Sequence, residues 1–115
     1  MQVVHERGGD IDVLASDVER ADSFVSRARG LMFRRSIPDD YALVFEFSGR
    51  AQRGVHMVFV PFDIDVLWLV DDEVQRVETL SAWTGRASAE AECFVELPAG
   101  AASDVRVGDT VRVEP

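Results

Sequence analysis

The sequence predicts an α+β fold that is mainly β: a small antiparallel barrel or sandwich of about eight short strands, with one short helix near residues 22–31. Most apolar residues alternate with polar ones or form short continuous runs, which is typical of strands, and only one segment has a helical period. Glycine and aspartate pairs separate the runs, as in hairpin turns. At 115 residues, the chain is long enough for a single domain, residues 1–115, but not for a second independent core.

The first part of the chain contains two strands and the predicted helix. Residues 3–6 and 11–18 form the strands, because the Gly-Gly-Asp sequence at 8–10 between them is a typical hairpin turn. Five apolar side chains would share one face of a helix over residues 22–31: Phe24, Val25, Ala28, Leu31 and Met32. Asp22 or Ser23 would cap its start, and Gly30 would end it in a left-handed conformation.

The rest of the chain is predicted to be strands and turns. The strands cover residues 41–47, 55–60, 64–70, 74–80, 93–97 and 104–114, and residues 81–91 form a polar loop that carries Trp83. We expect 55–60 and 64–70 to form a hairpin closed by the Pro-Phe-Asp sequence at 61–63. In that register His56 lies opposite Trp68, and alternation places His56 and Asp65 on opposite faces of the sheet.

The charge balance indicates an unusual environment. The chain has 12 basic and 21 acidic side chains, a formal net charge of −9, and all 12 basic residues are arginine. An acidic, lysine-free surface is expected where molar salt screens repulsion and carboxylates keep the protein hydrated. We therefore expect a salt-adapted organism and a fold that weakens when salt is diluted. A high-GC genome would explain the missing lysine but not the excess of acids.

Several classes of function are disfavoured by the same sequence. Nucleic-acid binding is not expected, because the chain lacks a basic stripe that could contact phosphates. There is no signal peptide and no apolar run of about 18 residues, so we expect a cytoplasmic protein without membrane contact. Cys93 is the single cysteine and is expected in the core, and the two histidines are too far apart in sequence to suggest a metal site. We expect no cofactor, because no cofactor motif occurs.

Three sequence blocks resemble those of a known family. They are RARGLMFR at 27–34, HMVFVPFDID at 56–65, and FVELPAG at 94–100 followed by Gly-Asp at 108–109. In this order they resemble the signature blocks of domain-of-unknown-function family 192, found in archaea and bacteria, over about residues 22–109. The acidic composition suggests a haloarchaeal type of member. The resemblance implies a compact β-rich fold and no established reaction.

Two departures from the bacterial pattern accompany this resemblance. Residues 58–60 are Val-Phe-Val, where bacterial members have a polar run after the position of Met57, so any ligand contact made by that run is lost here. Many bacterial members also carry an export signal, which this chain lacks, and this departure disfavours an exported role. Asp65 still matches the acidic position of the family.

Asp65 is the first candidate site residue, because its predicted strand face is otherwise apolar. The residues expected on that face are Met57, Phe59, Leu67 and Leu69. A carboxylate among such side chains must be paired or hydrogen-bonded, since burying it alone is costly. We expect Arg27 or Arg34 from the first block to bridge to it, because a planar guanidinium can bind a carboxylate through two hydrogen bonds. The pair would be either a structural link or the polar floor of a pocket.

Three functional hypotheses follow. The first is a cytoplasmic module that binds a small ligand or a protein without catalysis, through Arg27, Arg34, Asp65, Trp83 and His56. Its arginines would recognise an anionic group, and Trp83 would act as a lid or a plug at the open end of the β-structure. The alternative is a hydrolase or lyase that uses His56 as general base, with Arg34 stabilising negative charge.

The third hypothesis is an interaction domain. Phe94 shares a predicted strand face with Glu92 and Glu96, so it would be exposed, and either Phe94 or an exposed edge of the sheet could dock a protein partner.

Overall fold

The computed structural model describes residues 1–23 and 29–115, and these form a mainly β fold, as predicted. Eight strands follow one another along the chain: β1 (Gln2–Arg7), β2 (Asp10–Ala15), β3 (Asp17–Arg20), β4 (Tyr41–His56), β5 (Ile64–Val70), β6 (Glu73–Leu80), β7 (Arg86–Pro98) and β8 (Thr110–Glu114). The glycine-rich turn between β1 and β2 lies where the sequence predicts it, with Gly8 and Gly9 both at positive φ.

The strands form one mixed sheet in the order β2-β1-β8-β6-β5-β7-β4-β3, in which β3 and β4 are parallel and the other ladders are antiparallel. β2 and β3 occupy opposite edges of this order, yet only Ser16 separates them in sequence. Two residues span at most about 7 Å, so the sheet must curl until its edges approach each other. No ladder joins β2 to β3 within the described residues, so the predicted barrel or sandwich is wrong: the structure is a single curled, open sheet.

The predicted helix over residues 22–31 is not confirmed. Residues 24–28, and with them Arg27, lie outside the described residues. The described residues that follow form tight turns, in which the amide of Met32 donates to the carbonyl of Arg29 at 3.0 Å and Gly30 has φ +52°. Across residues 1–23 and 29–115 no helix is long and apolar enough to cross a membrane.

The central strands are buried on both faces, because side chains alternate between two apolar clusters. On β5, Ile64, Val66 and Trp68 belong to one cluster, whereas Leu67 and Leu69 belong to the other. The second cluster, here called the concave cluster, receives side chains from seven of the eight strands and so fills the inside of the curl: Val3, Ala15, Ala42, Val44, Leu67, Leu69, Val74, Val95, Leu97, Ala102, Val105 and Val111. The first, the convex cluster, lies on the opposite face of β4, β5 and β7.

The convex cluster is covered by the segment that follows residue 28. Leu31 is buried in this cluster, and Met32 and Ile37 pack against it. The amide of Phe33 donates to the carbonyl of Phe59 at 2.8 Å, which ties the segment to the turn after β4. The first sequence block is therefore held against the same sheet face as the second.

The predicted hairpin between 55–60 and 64–70 does not form. β4 continues to His56 and pairs with the first half of β7, so that His56 is opposite Arg86 rather than Trp68. β5 instead lies between β6 and β7. Residues 86–91, which the sequence predicts as loop, are part of β7. Ala87, Ala89 and Ala91 alternate with polar residues there, but alanine is too small to give a strong apolar signal, so the prediction was wrong.

Candidate functional site

A small cavity lies where the segment after residue 28 crosses the convex face of the sheet. Its volume is about 60 Å³, and one of its walls is the carboxyl group of Glu96, so we call it the Glu96 cavity. Its described lining residues are Arg29, Gly30, Leu31, Met32, Phe45, Gly54, Val55, His56, Val60, Phe94 and Glu96.

Glu96 reaches this cavity because of its place on β7. Residues 94 and 96 share one face of the strand, and Phe94 stacks on Phe45 of β4 with ring centroids 4.4 Å apart. Gly30 lies beside Phe45 and Glu96: a Cβ at position 30 would be 3.7 Å from Glu96 Oε1 and 3.5 Å from the ring of Phe45. The missing side chain at residue 30 therefore leaves open space beside the carboxyl group.

The carboxyl group of Glu96 is buried without a matching partner. The residue is 5% exposed, and its Oε1 accepts no hydrogen bond within the described part of the chain. Burial raises the pKa of Glu96 to about 8, and the nearby positive charge of Arg34 only partly opposes this rise. Near neutral pH the carboxyl group of Glu96 is therefore mostly protonated, and a small increase in pH or a positive ligand would ionise it.

An arginine-lined cleft of about 410 Å³ adjoins the cavity and shares Arg29 and Gly30 with it. The other lining residues of this arginine cleft are Glu19, Arg20, Arg34 and Leu43. Arg34 Nη1 donates to the hydroxyl of Tyr41 at 3.0 Å, and its Nη2 lies 3.7 Å from a carboxylate oxygen of Glu19. Arg20 is paired with Glu46.

Asp65 is buried, as expected, but its partners correct the prediction. It is 3% exposed and accepts hydrogen bonds from Thr79 Oγ1 at 2.7 Å and from the amides of Gly100 and Ala102 at 3.0 and 2.9 Å. Asp65 faces the concave cluster, since its neighbours Ile64 and Val66 face the convex one.

The predicted bridge from Arg34 to Asp65 is therefore wrong. Asp65 lies on the concave side of the sheet, whereas Arg34 lies on the convex side. Arg27, the other predicted partner, is outside the described residues. The apolar face predicted around Asp65 also needs correction, because Met57 belongs to the convex cluster and Phe59 is exposed.

His56 and Trp83 lie beside the Glu96 cavity rather than near Asp65. His56 is exposed, lines the cavity, and accepts a hydrogen bond at Nδ1 from the amide of Val58 at 3.3 Å. Both residues also line an adjoining groove of about 470 Å³. Trp83 is 58% exposed there, so it neither plugs the sheet nor covers the Glu96 cavity.

An exposed aromatic pair extends this surface. Phe33 and Phe59 stack with centroids 5.0 Å apart and are 64% and 51% exposed. Phe33, Phe59 and Trp83 all have positive φ, an uncommon conformation for aromatic residues. Backbone hydrogen bonds hold them, with the amide of Trp83 donating to the carbonyl of Val60 at 3.0 Å. The surface beside the cavity is thus fixed by its backbone.

Glu96 and Arg29 are site residues that the sequence pattern did not indicate. The alternation in β7 predicts an outward Glu96, and the third hypothesis predicts an exposed Phe94, but both side chains are buried. The available signal was Phe94 itself, since a phenylalanine between two glutamates on one strand face indicates that this face is covered. No hydrophobic pattern could have indicated what covers it.

Cys93 packs against the concave cluster and is partly buried, and burial together with nearby carboxylates raises the pKa of its thiol to about 12, which disfavours the thiolate. The predicted strand over residues 104–114 forms only as β8, because Gly108 has φ +94° in a turn before this strand, where Asp109 accepts a hydrogen bond from the amide of Arg106.

The three sequence blocks meet at the Glu96 cavity. The first contributes Arg29 and Gly30, the second His56 and the third Glu96. The second and third also meet on the concave side, through Asp65 and the amides that follow Pro98. No cluster of three or more histidine, cysteine or acidic side chains suited to a metal ion occurs within residues 1–23 and 29–115.

Substitution of Asp65 should destabilise the fold, and the loss should depend on whether the new side chain still offers an acceptor. Asp65→Ala leaves the buried amide of Ala102 and the partly buried amide of Gly100 without an acceptor, so we expect the free energy of unfolding to fall by about 3 kcal/mol. Asp65→Asn should cost only about 1 to 2 kcal/mol, because its one carbonyl oxygen can still face both amides. Urea denaturation measures both values. Equal losses for the two variants would contradict this account of Asp65.

Glu96 should make the protein less stable as pH rises. Its pKa is about 8 in the folded state and 4.5 in the unfolded chain, so between these values the folded state holds one more proton. The contribution of Glu96 is therefore fully present below about pH 4.5, declines by about 1.4 kcal/mol per pH unit above it, and is lost above about pH 8.

Glu96→Gln should remove this decline when urea denaturation is repeated across the pH range. Glu73→Gln, at an exposed carboxylate in β6, is the matched control and should retain it. A Glu96→Gln protein with the pH dependence of the unsubstituted chain would contradict the burial argument.

Comparison with known proteins places the chain among uncharacterised proteins. A UPF0127 protein of Thermococcus gammatolerans is 35% identical over 100 residues, which cover 82% of this chain and 64% of the relative. A UPF0127 protein of Thermococcus kodakarensis is 33% identical over 104 residues, covering 85% and 65%. This chain therefore matches less than two thirds of the length of either. A Pyrococcus horikoshii relative is 34% identical over 102 residues, covering 84% and 86%. These sources do not confirm a haloarchaeal origin.

Two crystal structures share the fold. A protein of unknown function from Novosphingobium aromaticivorans has a TM-score of 0.84 at 20% identity, over 97% of this chain and 84% of its own. A protein from Sinorhizobium meliloti, described as a candidate transcription regulator, has a TM-score of 0.83 at 22% identity, over 96% and 91%. The model of the family DUF192, described as Uncharacterized ACR, matches residues 3–113. With nearly its whole length matched and relatives above 30% identity, the chain belongs to the uncharacterised DUF192 (UPF0127) family.

Proposed function

We propose that this protein is a small-ligand binding module whose site is the Glu96 cavity and the adjoining arginine cleft. The observation that carries the proposal is the buried Oε1 of Glu96, which has no hydrogen-bond partner within the described residues. A buried acceptor without a partner costs about 1 to 3 kcal/mol of stability. A ligand that supplies a donor would recover this cost, and a cavity with a few polar groups beside an open cleft is typical of ligand sites.

The lining of the cavity favours binding over catalysis. Its described residues include no serine, threonine, cysteine or lysine that could act as a nucleophile. His56, the proposed base of the alternative hypothesis, accepts from a backbone amide at Nδ1 and pairs with no carboxylate among the described residues. Arg34, which would stabilise negative charge, is engaged with Tyr41 and Glu19. We therefore retain the non-catalytic hypothesis.

Nucleic acid is not the proposed partner, although the Sinorhizobium meliloti neighbour is described as a candidate regulator of transcription. A formal charge of −9 repels phosphate backbones. Arg20 and Arg34 of the cleft are each paired with a glutamate, which further weakens the site for a polyanion. The same charge disfavours anionic membrane surfaces.

Small hydrogen-bond donors should bind at the Glu96 cavity. We expect ethylammonium, acetamide or ethanol to give saturable shifts of the amide signals of Gly30 and Glu96 in two-dimensional NMR spectra. Glu96→Met, which keeps a side chain of similar length but removes both acceptors, should abolish these shifts. Its amide spectrum also reports whether the variant is folded, and Glu96→Gln is a second variant of nearly unchanged size.

Glu73→Gln is the control, because it removes an exposed carboxylate far from the cavity lining and should leave the shifts unchanged. Absence of saturable shifts for all three probes, or equal shifts in Glu96→Met, would overturn the proposed site.

We also propose that the protein works in the cytoplasm of a salt-adapted cell, and the acidic, lysine-free composition supports this. The thermal midpoint of unfolding should rise between about 0.1 M and about 2 M KCl, because salt screens repulsion among the surplus carboxylates. Most of the rise should come at the lower concentrations, where the Debye length changes most in absolute terms. A midpoint that is independent of KCl would contradict salt adaptation.

A further inference from the structure

We propose that the ligand of the Glu96 cavity is a small zwitterion, whose ammonium group lies against Glu96 and whose anionic group, a carboxylate or a phosphate, is bound by Arg29 at the rim. This inference rests on the proposed function and names the chemical class of ligand for the same site.

Among the described residues of the cleft, Arg29 is the arginine whose charge is available to a ligand. Arg20 is paired with Glu46, and Arg34 contacts Glu19. Arg29 is exposed, and its Nε makes a long 3.4 Å contact with the carbonyl of Met32. No carboxylate among the described residues pairs with its guanidinium, so its terminal nitrogens can bind an anion.

Arg29 and Glu96 line the same cavity but do not form an ion pair. A guanidinium and a carboxyl group that share one small cavity gain from a bridging molecule that offers each its complement. Glu96 Oε1 requires a donor, and an ammonium group provides up to three N–H bonds together with the charge that stabilises the carboxylate. A molecule carrying both an ammonium and an anion at opposite ends matches this arrangement.

The volumes set the size of each end of the ligand. The Glu96 cavity of about 60 Å³ has room for a small group such as an ammonium and the methylene next to it. The arginine cleft of about 410 Å³ has room for the rest of a small molecule and its anionic group. The smaller cavity therefore suits the ammonium end, and the larger cleft has room for the anion.

Binding of an ammonium requires the ionised form of Glu96, so affinity should depend on pH. Because burial raises the pKa of Glu96 to about 8, affinity should increase by about tenfold per pH unit up to about pH 8 and then level off. The other charged or titratable groups in the described lining of the cavity and cleft are Glu19, Arg20, Arg29, Arg34 and His56. His56→Gln should leave the pH dependence intact, which separates Glu96 from the imidazole. Tyr41, whose pKa burial raises to about 12, does not titrate in this range.

Calorimetric titration with three matched probes tests the proposal: β-alanine, which is a zwitterion, ethylammonium, which has only the cation, and propionate, which has only the anion. We expect β-alanine to bind about tenfold more tightly than either of the others. 2-Aminoethyl phosphate in place of β-alanine shows whether a carboxylate or a phosphate is the preferred anion.

Arg29→Gln should reduce the affinity for β-alanine to that for ethylammonium and leave ethylammonium binding unchanged. Glu96→Gln should weaken both amines and not propionate. Arg35→Gln is the matched control, because Arg35 is exposed, directly follows the same block and lies outside the described lining of the cavity and the cleft.

Two results overturn the proposal in distinguishable ways. If ethylammonium binds as tightly as β-alanine and Arg29→Gln changes neither affinity, the zwitterion is excluded while a binding site at Glu96 remains. If neither these probes nor acetamide and ethanol bind to the folded protein, the zwitterion and the proposed function fail together.

Discussion

The fold depends on one covalent constraint, the single residue that joins β2 to β3. These strands occupy the two edges of an eight-stranded sheet, and Ser16 alone connects them, so the sheet cannot lie flat. Curling creates an inner face, which the concave cluster fills, and an outer face, which needs a separate cover. The segment after residue 28 supplies part of this cover, and the Glu96 cavity lies beneath it.

Two buried acids show how differently one fold can use a carboxylate. Asp65 faces the concave side, where Thr79 and the amides of Gly100 and Ala102 use its acceptors and fix the loop after β7. Glu96 faces the convex side with an oxygen that no described group uses. A buried acid whose oxygens all accept hydrogen bonds stabilises the fold. A buried acid with an unused acceptor lowers the stability of the fold until a ligand supplies a donor. The first is therefore interpreted as structure and the second as the site.

The sequence blocks that carry the family resemblance are distant along the chain but adjacent in space. Arg29 and Gly30, His56, and Glu96 line one cavity of about 60 Å³. The surface next to it carries Trp83 on a turn with positive φ. Aromatic residues held in this conformation indicate a backbone that is fixed by its hydrogen bonds, so the approach to the cavity is preformed.

By itself, the sequence determined the mainly β class, most of the strands, the turn before β2, the burial of Asp65 and the inert position of Cys93. Each of these follows from local alternation, turn chemistry or the cost of burying charge, which act over a few residues. The tertiary structure alone decided which strands pair, that the sheet curls without closing, and that Glu96 rather than Asp65 faces the arginines of the first block. Those outcomes depend on what packs against each face of a strand. The alternation of apolar and polar side chains shows that the two faces of a strand differ, but it does not show which part of the chain lies against either face.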